Sequence, residues 1–235
     1  YAYLPNTIPE ELRTRALRII NYYLARPESA ALVDSTGKVD LPGNITSDPD
    51  IMALFYETAL VSYAQQLTGV NQIQPVNSAQ IALRYPELGE AHVLSGRRWH
   101  IDGFTKQSHT PFSFIIAVAL SDQSDSWSGN LCVFPGSHVS LQEQVREEVS
   151  HGSDKLSHEL DLTKPDLGEP IQLSMEAGSA LIAHQRLAHR GGPNYSSNIR
   201  YMVYFRVNHI DHEQLKLLSL DSVWLEFEGL AELIN

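Results

Sequence analysis

The sequence predicts a mostly β fold with flanking α-helices. Apolar residues recur at helical spacing only in the first part of the chain, to about residue 67. From about residue 78 they form short alternating or continuous runs bounded by Gly, Pro, Asn or Ser, the signature of strands and turns. The length, 235 residues, is ample for one sizeable core, so residues 1–235 read as a single domain. Within it, helices occupy about 9–67, the β region about 78–208 and a tail 211–235.

The first helix is expected over 9–26. Pro9 suits an early helical position, Glu10 and Glu11 suit the positive end of the helix dipole, and Leu12, Ala16, Ile19, Ile20 and Tyr23 form a stripe. Arg26-Pro27 ends it, and residues 29–47, with Gly37, Pro42 and Gly43, read mostly as loop. Asp48-Pro49 opens a second helix, expected to run to Leu67, with Ile51, Leu54, Phe55, Thr58, Ala59, Val61 and Tyr63 on its buried face. Residues 78–85 alternate as a strand whose Gln80, Ala82 and Arg84 share one face. A loop over 86–98 carries Glu87, Glu90, His92, Arg97 and Arg98, with His92 read as a surface residue. Phe112–Leu120 is nearly all apolar and too short for a membrane, hence a central strand buried on both faces.

Gly129–Phe134 is the next strand, turned by Pro135-Gly136. A short charged helix is expected over 140–149, and the polar segment 150–169 reads as a loop or lid. Strands resume at 170–173, 178–183 and 201–207. The tail from Gln214 to Leu230 is helical or mixed, with Leu215, Leu218, Val223, Leu225 and Phe227 to bury.

Acidic residues outnumber Lys and Arg by 28 to 17, a formal net charge of −11, and no basic cluster stands out. That balance argues against a nucleic-acid partner. No apolar run reaches the length of a membrane span. The single cysteine, Cys132, excludes an intrachain disulfide and fits the cytoplasm or another reducing intracellular compartment. The start at Tyr1 leaves room for a targeting segment ahead of it.

The chemistry is concentrated in Trp99-His100-Ile101-Asp102-Gly103. His100 and Asp102, two apart on a strand, point to the same face, so an imidazole and a carboxylate can reach one metal ion. That is two-thirds of the two-histidine, one-carboxylate triad of non-haem Fe(II) sites. Trp99 points the other way, to the core. A further histidine comes from the run Gly178–His189, which holds both His184 and His189. Eleven residues after His189, Arg200 opens the run Tyr201–Val207. A buried guanidinium near a metal clamps a carboxylate bidentately, which an Fe(II) enzyme using 2-oxoglutarate requires for the distal carboxylate of that co-substrate.

These pieces resemble the phytanoyl-CoA dioxygenase family of Fe(II)/2-oxoglutarate oxygenases. The similarity runs over roughly residues 78–208 and rests on Trp99-His100-Ile101-Asp102, on Gly129-Asn130-Leu131-Cys132-Val133-Phe134-Pro135-Gly136-Ser137-His138, and on Ala177–His184 through His189 to Arg200. The resemblance implies a double-stranded β-helix, the jelly-roll or cupin-like barrel. It implies Fe(II) held by His100, Asp102 and His189, with 2-oxoglutarate and O2 as co-substrates and Arg200 as the clamp. It selects His189 over His184 through the interval to Arg200 and the Gly191-Gly192-Pro193-Asn194 loop that follows. Gln80, some 20 residues before His100, becomes a co-substrate contact, and His138 a structural residue of the Pro-Gly-Ser-His turn.

Family members often carry a hydroxyl residue two positions after the distal histidine, where Gly191 stands here. Arg84, Phe104 and His109 are the candidate substrate contacts. The implied reaction is hydroxylation of a small organic substrate with release of succinate and CO2. The carboxylate at Asp102 favours hydroxylation, desaturation or ring formation over halogenation, because related halogenases replace it with a small residue. The competing reading is a non-oxygenase metal-binding cupin, or an inactive family member acting as a binding module.

Overall fold

A computed structural model describes residues 1–26, 38–39, 41, 44–89, 99–103, 109–150 and 166–231. The expected features at His92, Arg97, Arg98 and Phe104, and most of the expected lid over 150–169, lie outside the described residues.

Two antiparallel sheets face each other. The larger contains β1 (Ala2–Leu4), β2 (Lys38–Val39), β3 (Gln80–Arg84), β4 (Phe114–Ala119), β7 (Ala180–His184) and β9 (Arg200–Val207), in the order β1-β7-β4-β9-β3-β2. The smaller contains β5 (Leu131–Val133), β6 (Ile171–Gln172) and β8 (His189–Gly191), in the order β6-β5-β8. Neighbours distant in sequence, such as β4 between β7 and β9, give the expected jelly-roll arrangement.

The larger sheet separates two kinds of surface. Its outer face presents Ile81, Leu83, Phe114, Ile116, Val118, Ile182, Val203, Phe205 and Val207 to the helices. There α1 (Glu10–Leu24), α2 (Pro49–Tyr56) and α3 (Leu60–Thr68) close the main core with Leu12, Ala16, Ile20, Ile51, Leu54, Phe55 and Leu60. Each large apolar side chain buried there contributes about 1.5–3 kcal/mol. The rings of Phe55 and Phe205 meet at 5.4 Å between centroids. The inner face carries Ala117, Ala119 and Ala183 beside Ile115, Leu181, Met202 and Tyr204, and the alanines leave space between the sheets.

The second helix is two. The Thr58 hydroxyl donates to the Leu54 carbonyl at 2.9 Å and accepts from the Leu60 amide at 3.2 Å, so it closes α2 and opens α3. A threonine that bonds its own backbone competes with helix continuation, and the expected single helix to Leu67 is corrected accordingly. Three short strands were not expected. β1 pairs with β7, β2 with β3, and β8 with β5, each through backbone bonds whose side-chain pattern is too short to show a period.

The charged helix expected over 140–149 appears as α4 (Ser137–Ser140) and α5 (Gln142–Ser150). The tail is mixed, with α6 (His212–Leu215) and 3₁₀ turns at Leu218–Leu220 and Glu228–Leu230. It is pinned by His212, whose Nδ1 donates to Glu226 Oε1 at 2.7 Å and whose Nε2 donates to the Pro111 carbonyl at 2.9 Å. No helix among the described residues is long and apolar enough to cross a membrane.

Candidate metal centre

His100 and His189 exchange both backbone hydrogen bonds, His100 N to His189 O at 3.1 Å and His189 N to His100 O at 2.9 Å. This isolated antiparallel bridge sets the rings 4.4 Å apart between centroids. Two residues on, the Asp102 amide donates to the Gln185 carbonyl at 3.3 Å, so the stretch bearing two donors is laid along the chain that bears the third. Ile101, between them, points away into a separate cluster with Leu141, Val145 and Ala188. Trp99 stacks on Phe134, with the Arg190 guanidinium 4.7 Å from its ring centre, which places it in packing as expected.

The chain turns sharply after Asp102. Gly103 has φ of +88°, and a Cβ there would stand 2.9 Å from Pro111 Cα and 3.0 Å from Gln185 Oε1. Only glycine fits both the dihedral and the space. Gln185 Oε1 also accepts from the Phe112 amide at 3.3 Å, so one glutamine ties the turn to the start of β4.

The donor atoms of His100, Asp102 and His189 all lie within 4.8 Å of one another, and among the described residues they are the group of three that can hold a metal ion. His100 Nε2 is 4.0 Å from one carboxylate oxygen of Asp102, and His189 Nε2 is 3.8 Å from the other. His189 Nδ1 donates to the Leu187 carbonyl at 2.8 Å, which commits the ring to a tautomer with its Nε2 lone pair turned to the carboxylate. Two imidazole nitrogens and one carboxylate oxygen on one side of a cavity match the facial donor set of non-haem iron sites.

His184 takes no part. Its Nε2 donates to the Val223 carbonyl at 2.9 Å and its Nδ1 accepts from the Arg186 amide at 3.0 Å, so both nitrogens are used. Burial lowers its pKa to about 3, and it stacks between Phe227 and His138. His138 packs on His184 and Trp224, a structural place held by ring contacts, with its buried Nδ1 making no hydrogen bond among the described residues. The neighbouring Ser137 opens α4 without a side-chain cap bond. Its hydroxyl accepts from the Ala188 amide at 2.8 Å and so holds the residue before His189, a contact that the Pro-Gly-Ser-His motif signalled without revealing its target.

The three donors open on a cavity of about 310 Å3 between the sheets, which Arg200, Arg84 and Gln80 also line. Arg200 is 4% exposed. Its Nε donates to the Gly129 carbonyl at 2.9 Å and its Nη1 to the Ala82 carbonyl at 3.1 Å. Two of a guanidinium's five N–H groups are thus spent on fixing it, and Nη2 with the second Nη1 proton remains as a fork for an anion. Arg84 stands directly across from Arg200 in the β3–β9 register, while Gln80 stands across from Tyr204. Gln80 Oε1 accepts from Arg206 Nη2 at 2.9 Å, an arginine that sequence reasoning passed over although the strand's alternation puts it on the same face as Arg200. His109 is not among the residues lining this cavity. It sits beside Arg186, Lys216 and His212, where burial and then these cations lower its pKa to about 4.

The sequence profile of the phytanoyl-CoA dioxygenase (PhyH) family matches residues 4–202. A search of curated proteins finds no match. Among solved structures, the chain is similar to the non-haem α-ketoglutarate-dependent epimerase SnoN of nogalamycin biosynthesis, with a TM-score of 0.65 and 18% identity, covering 88% of this chain and 77% of SnoN. It is also similar to the α-ketoglutarate-dependent carbocyclase SnoK of the same biosynthesis, with a TM-score of 0.58 and 18% identity over 92% and 85% of the two chains. HygX from Streptomyces hygroscopicus, solved with nickel, 2-oxoglutarate and hygromycin B bound, gives a TM-score of 0.53 and 14% identity over 88% and 81%. All three share the jelly-roll fold.

Proposed function

The chain belongs to the phytanoyl-CoA dioxygenase family, and from that premise we propose that it is an Fe(II)- and 2-oxoglutarate-dependent dioxygenase that hydroxylates a small organic molecule. The observation that carries this reading is that His100, Asp102 and His189 converge within 4.8 Å on the same cavity that the buried Arg200 fork lines. A metal-binding cupin without oxygenase activity has no use for that fork.

The residues present fit the implied groups. His100, Asp102 and His189 would hold the iron, with the Leu187 carbonyl fixing the His189 tautomer and the His100–His189 bridge fixing the spacing of the rings. When bound, ferrous iron supplies O2 activation, by which 2-oxoglutarate is split to succinate and CO2, one oxygen atom entering succinate and the other the substrate's C–H bond. Arg200 would take the distal carboxylate. Held by Gly129 and Ala82 and nearly closed to water, it needs little reorganisation, and its charge acts at low local dielectric.

Arg84 would stand beside that carboxylate at the place where relatives carry a hydroxyl, since its guanidinium occupies the space over Gly191. Arg84 was expected at a substrate group, and the register with Arg200 favours the co-substrate end instead. Gln80 was expected at the co-substrate, and its place across from Tyr204, with its Oε1 accepting from Arg206, favours the substrate side instead. Neighbours named as an epimerase and a carbocyclase show how widely related sites vary the outcome, and hydroxylation is the simplest outcome of oxygen insertion.

The test is anaerobic titration with Fe(II) and 2-oxoglutarate, read by the weak visible charge-transfer band of the ternary complex. Succinate release under O2 follows, across a panel of small organic acids, alcohols and amides. A band followed by substrate-dependent succinate supports the proposal. Protein that holds iron and shows no band with 2-oxoglutarate overturns it in favour of the metal-binding cupin.

A further inference from the structure

The charge inventory of the cavity is the reverse of the chain's. A protein with 28 acidic residues against 17 Lys and Arg lines this one cavity, among the described residues, with three arginines, Arg84, Arg200 and Arg206, and a single carboxylate, Asp102. The proposed function assigns Asp102 to the metal and Arg200 to 2-oxoglutarate. Arg84 Nη1 has Glu87 at 3.8 Å. Arg206 is different. Its contacts are the Gln80 carboxamide oxygen at 2.9 Å and the face of Phe112, 5.4 Å from the ring centre, and no carboxylate among the described residues pairs with it.

Its position is set by the strand. Along β9, Arg200, Met202, Tyr204 and Arg206 turn inward while Val203, Phe205 and Val207 pack against the helices. Six residues of strand separate the two arginine Cα atoms by ~20 Å. Arg200 marks the closed end. Arg206 pairs with Ile115, which pairs in turn with Ala183, and the chain runs on through His184, the end of β7, to Gln185, whose carbonyl holds Asp102. Arg206 is therefore at the end of the cavity that carries the metal donors, and it is exposed where Arg200 is buried. 2-Oxoglutarate has two carboxylates, one for the metal and one for Arg200, so none is left for Arg206.

We infer that Arg206, with Gln80 and Phe112, forms a substrate subsite for an anionic oxygen group, a carboxylate or a phosphate, on a small molecule. The inference rests on the proposed function for its division of the cavity between co-substrate and substrate. Phe112 holds the guanidinium plane and Gln80 fixes one edge, which leaves a fork of N–H donors of the shape that carboxylate and phosphate accept. With its oxygen turned to Arg206, the Gln80 carboxamide has its NH2 group free to donate to the same anion. Ile115, Leu131 and Leu187 line the remaining space and suit an apolar body behind that group. A cationic cavity in an otherwise acidic protein also concentrates anions at the correct place on the surface.

Saturation-transfer NMR on the full chain tests this with matched probes: phenylacetate and hexanoate beside their methyl esters, and phenyl phosphate beside phenol. The acids are expected to bind at least 10-fold more tightly than their neutral partners, with the preference lost in Arg206→Gln. The tighter of phenylacetate and phenyl phosphate names the anionic group. Backbone amide spectra of the variant check that it is folded, as expected for an exposed side chain. Acids that bind no better than their neutral partners, or a preference that persists in Arg206→Gln, overturn the subsite. The Fe(II)/2-oxoglutarate band of the wild type, measured in parallel, separates the two readings. A band without acid preference removes the subsite alone, and an Arg206-dependent preference without a band removes the cofactor reading alone.

Discussion

Arg84 and Gly191 occupy complementary space: a Cβ on Gly191 would stand 2.6 Å from Arg84 Nη2. The missing side chain at 191 is thus matched by a guanidinium reaching in from β3, beside the Arg200 with which Arg84 is in register. The two positions are expected to be coupled. Gly191→Ser should weaken 2-oxoglutarate binding several-fold by displacing Arg84, whereas the same serine in an Arg84→Ala background should have no effect or improve binding. Titration of the four proteins by the charge-transfer band measures a coupling of about 1 kcal/mol or more, as for residues in contact. Additive effects would mean that Arg84 does not serve the co-substrate.

Removing Arg200 should cost far more. Arg200→Ala deletes a buried, pre-fixed charge partner, and the 2-oxoglutarate Kd should rise at least ~30-fold, about 2 kcal/mol. Arg200→Lys should not recover it, because an ammonium cannot both bond Gly129 and Ala82 and present a fork. Iron binding itself, followed by metal analysis, should survive in both variants and be lost in His189→Ala.

The Gly103 turn makes the carboxylate donor dependent on a residue with no functional group. Gly103→Ala forces a side chain into a positive φ against Pro111 and should destabilise the fold by about 1–3 kcal/mol. It should also lower iron affinity at least ~10-fold by shifting Asp102, a loss typical of disturbed ligand support. Ile101→Val, one residue away from both ligands but on the opposite face, should cost about 1 kcal/mol in chemical denaturation and leave iron affinity intact.

Acid should unfold this protein through its histidines. Burial lowers His184 to about 3 and His138 and His109 to about 4, against 6.5 when unfolded. Above pH 6.5 these rings are neutral in both states and their stabilising contribution is complete. As pH falls from 6.5 through 4, the unfolded chain takes up protons that the folded chain refuses, and stability drops by about 1.4 kcal/mol per pH unit for each such proton. His212 acts in the opposite sense. Burial alone would lower its pKa, but the hydrogen bond and charge of Glu226 raise it overall, so its contribution is complete in acid and fades as pH rises through its folded value. Urea midpoints between pH 4.5 and 8 should therefore fall steeply on the acid side. His184→Gln should flatten that limb, and an unchanged slope would remove His184 from the account.

The helical start, the central strand Phe114–Ala119 and the inward face of Gln80, Ala82 and Arg84 could all be read from periodicity. So could the shared side of His100 and Asp102, although the structure holds them by one isolated bridge at His100 and a turn at Asp102 and not by the expected strand. The choice of His189 over His184 was not local. It needed the family interval, and in the structure it comes down to the Val223 carbonyl, which consumes the His184 Nε2 proton, and the Leu187 carbonyl, which frees the His189 Nε2. The break at Thr58 and the short strands β1, β2 and β8 escaped because a single hydroxyl or a few backbone bonds decide them.

The sequence by itself determined the donor types, their face and the order in which the chain delivers them, since alternation along a strand follows from backbone geometry alone. The tertiary structure decided which of those groups share a cavity. His100 and His189 are brought together by two backbone bonds across 89 residues of chain. Arg206 is left without a carboxylate among the described residues, and Arg84 is drawn into the space over Gly191, by register between strands that lie far apart in sequence. No pattern within either strand encodes that register, because it is a relation between backbone groups of strands that meet only in the folded sheet.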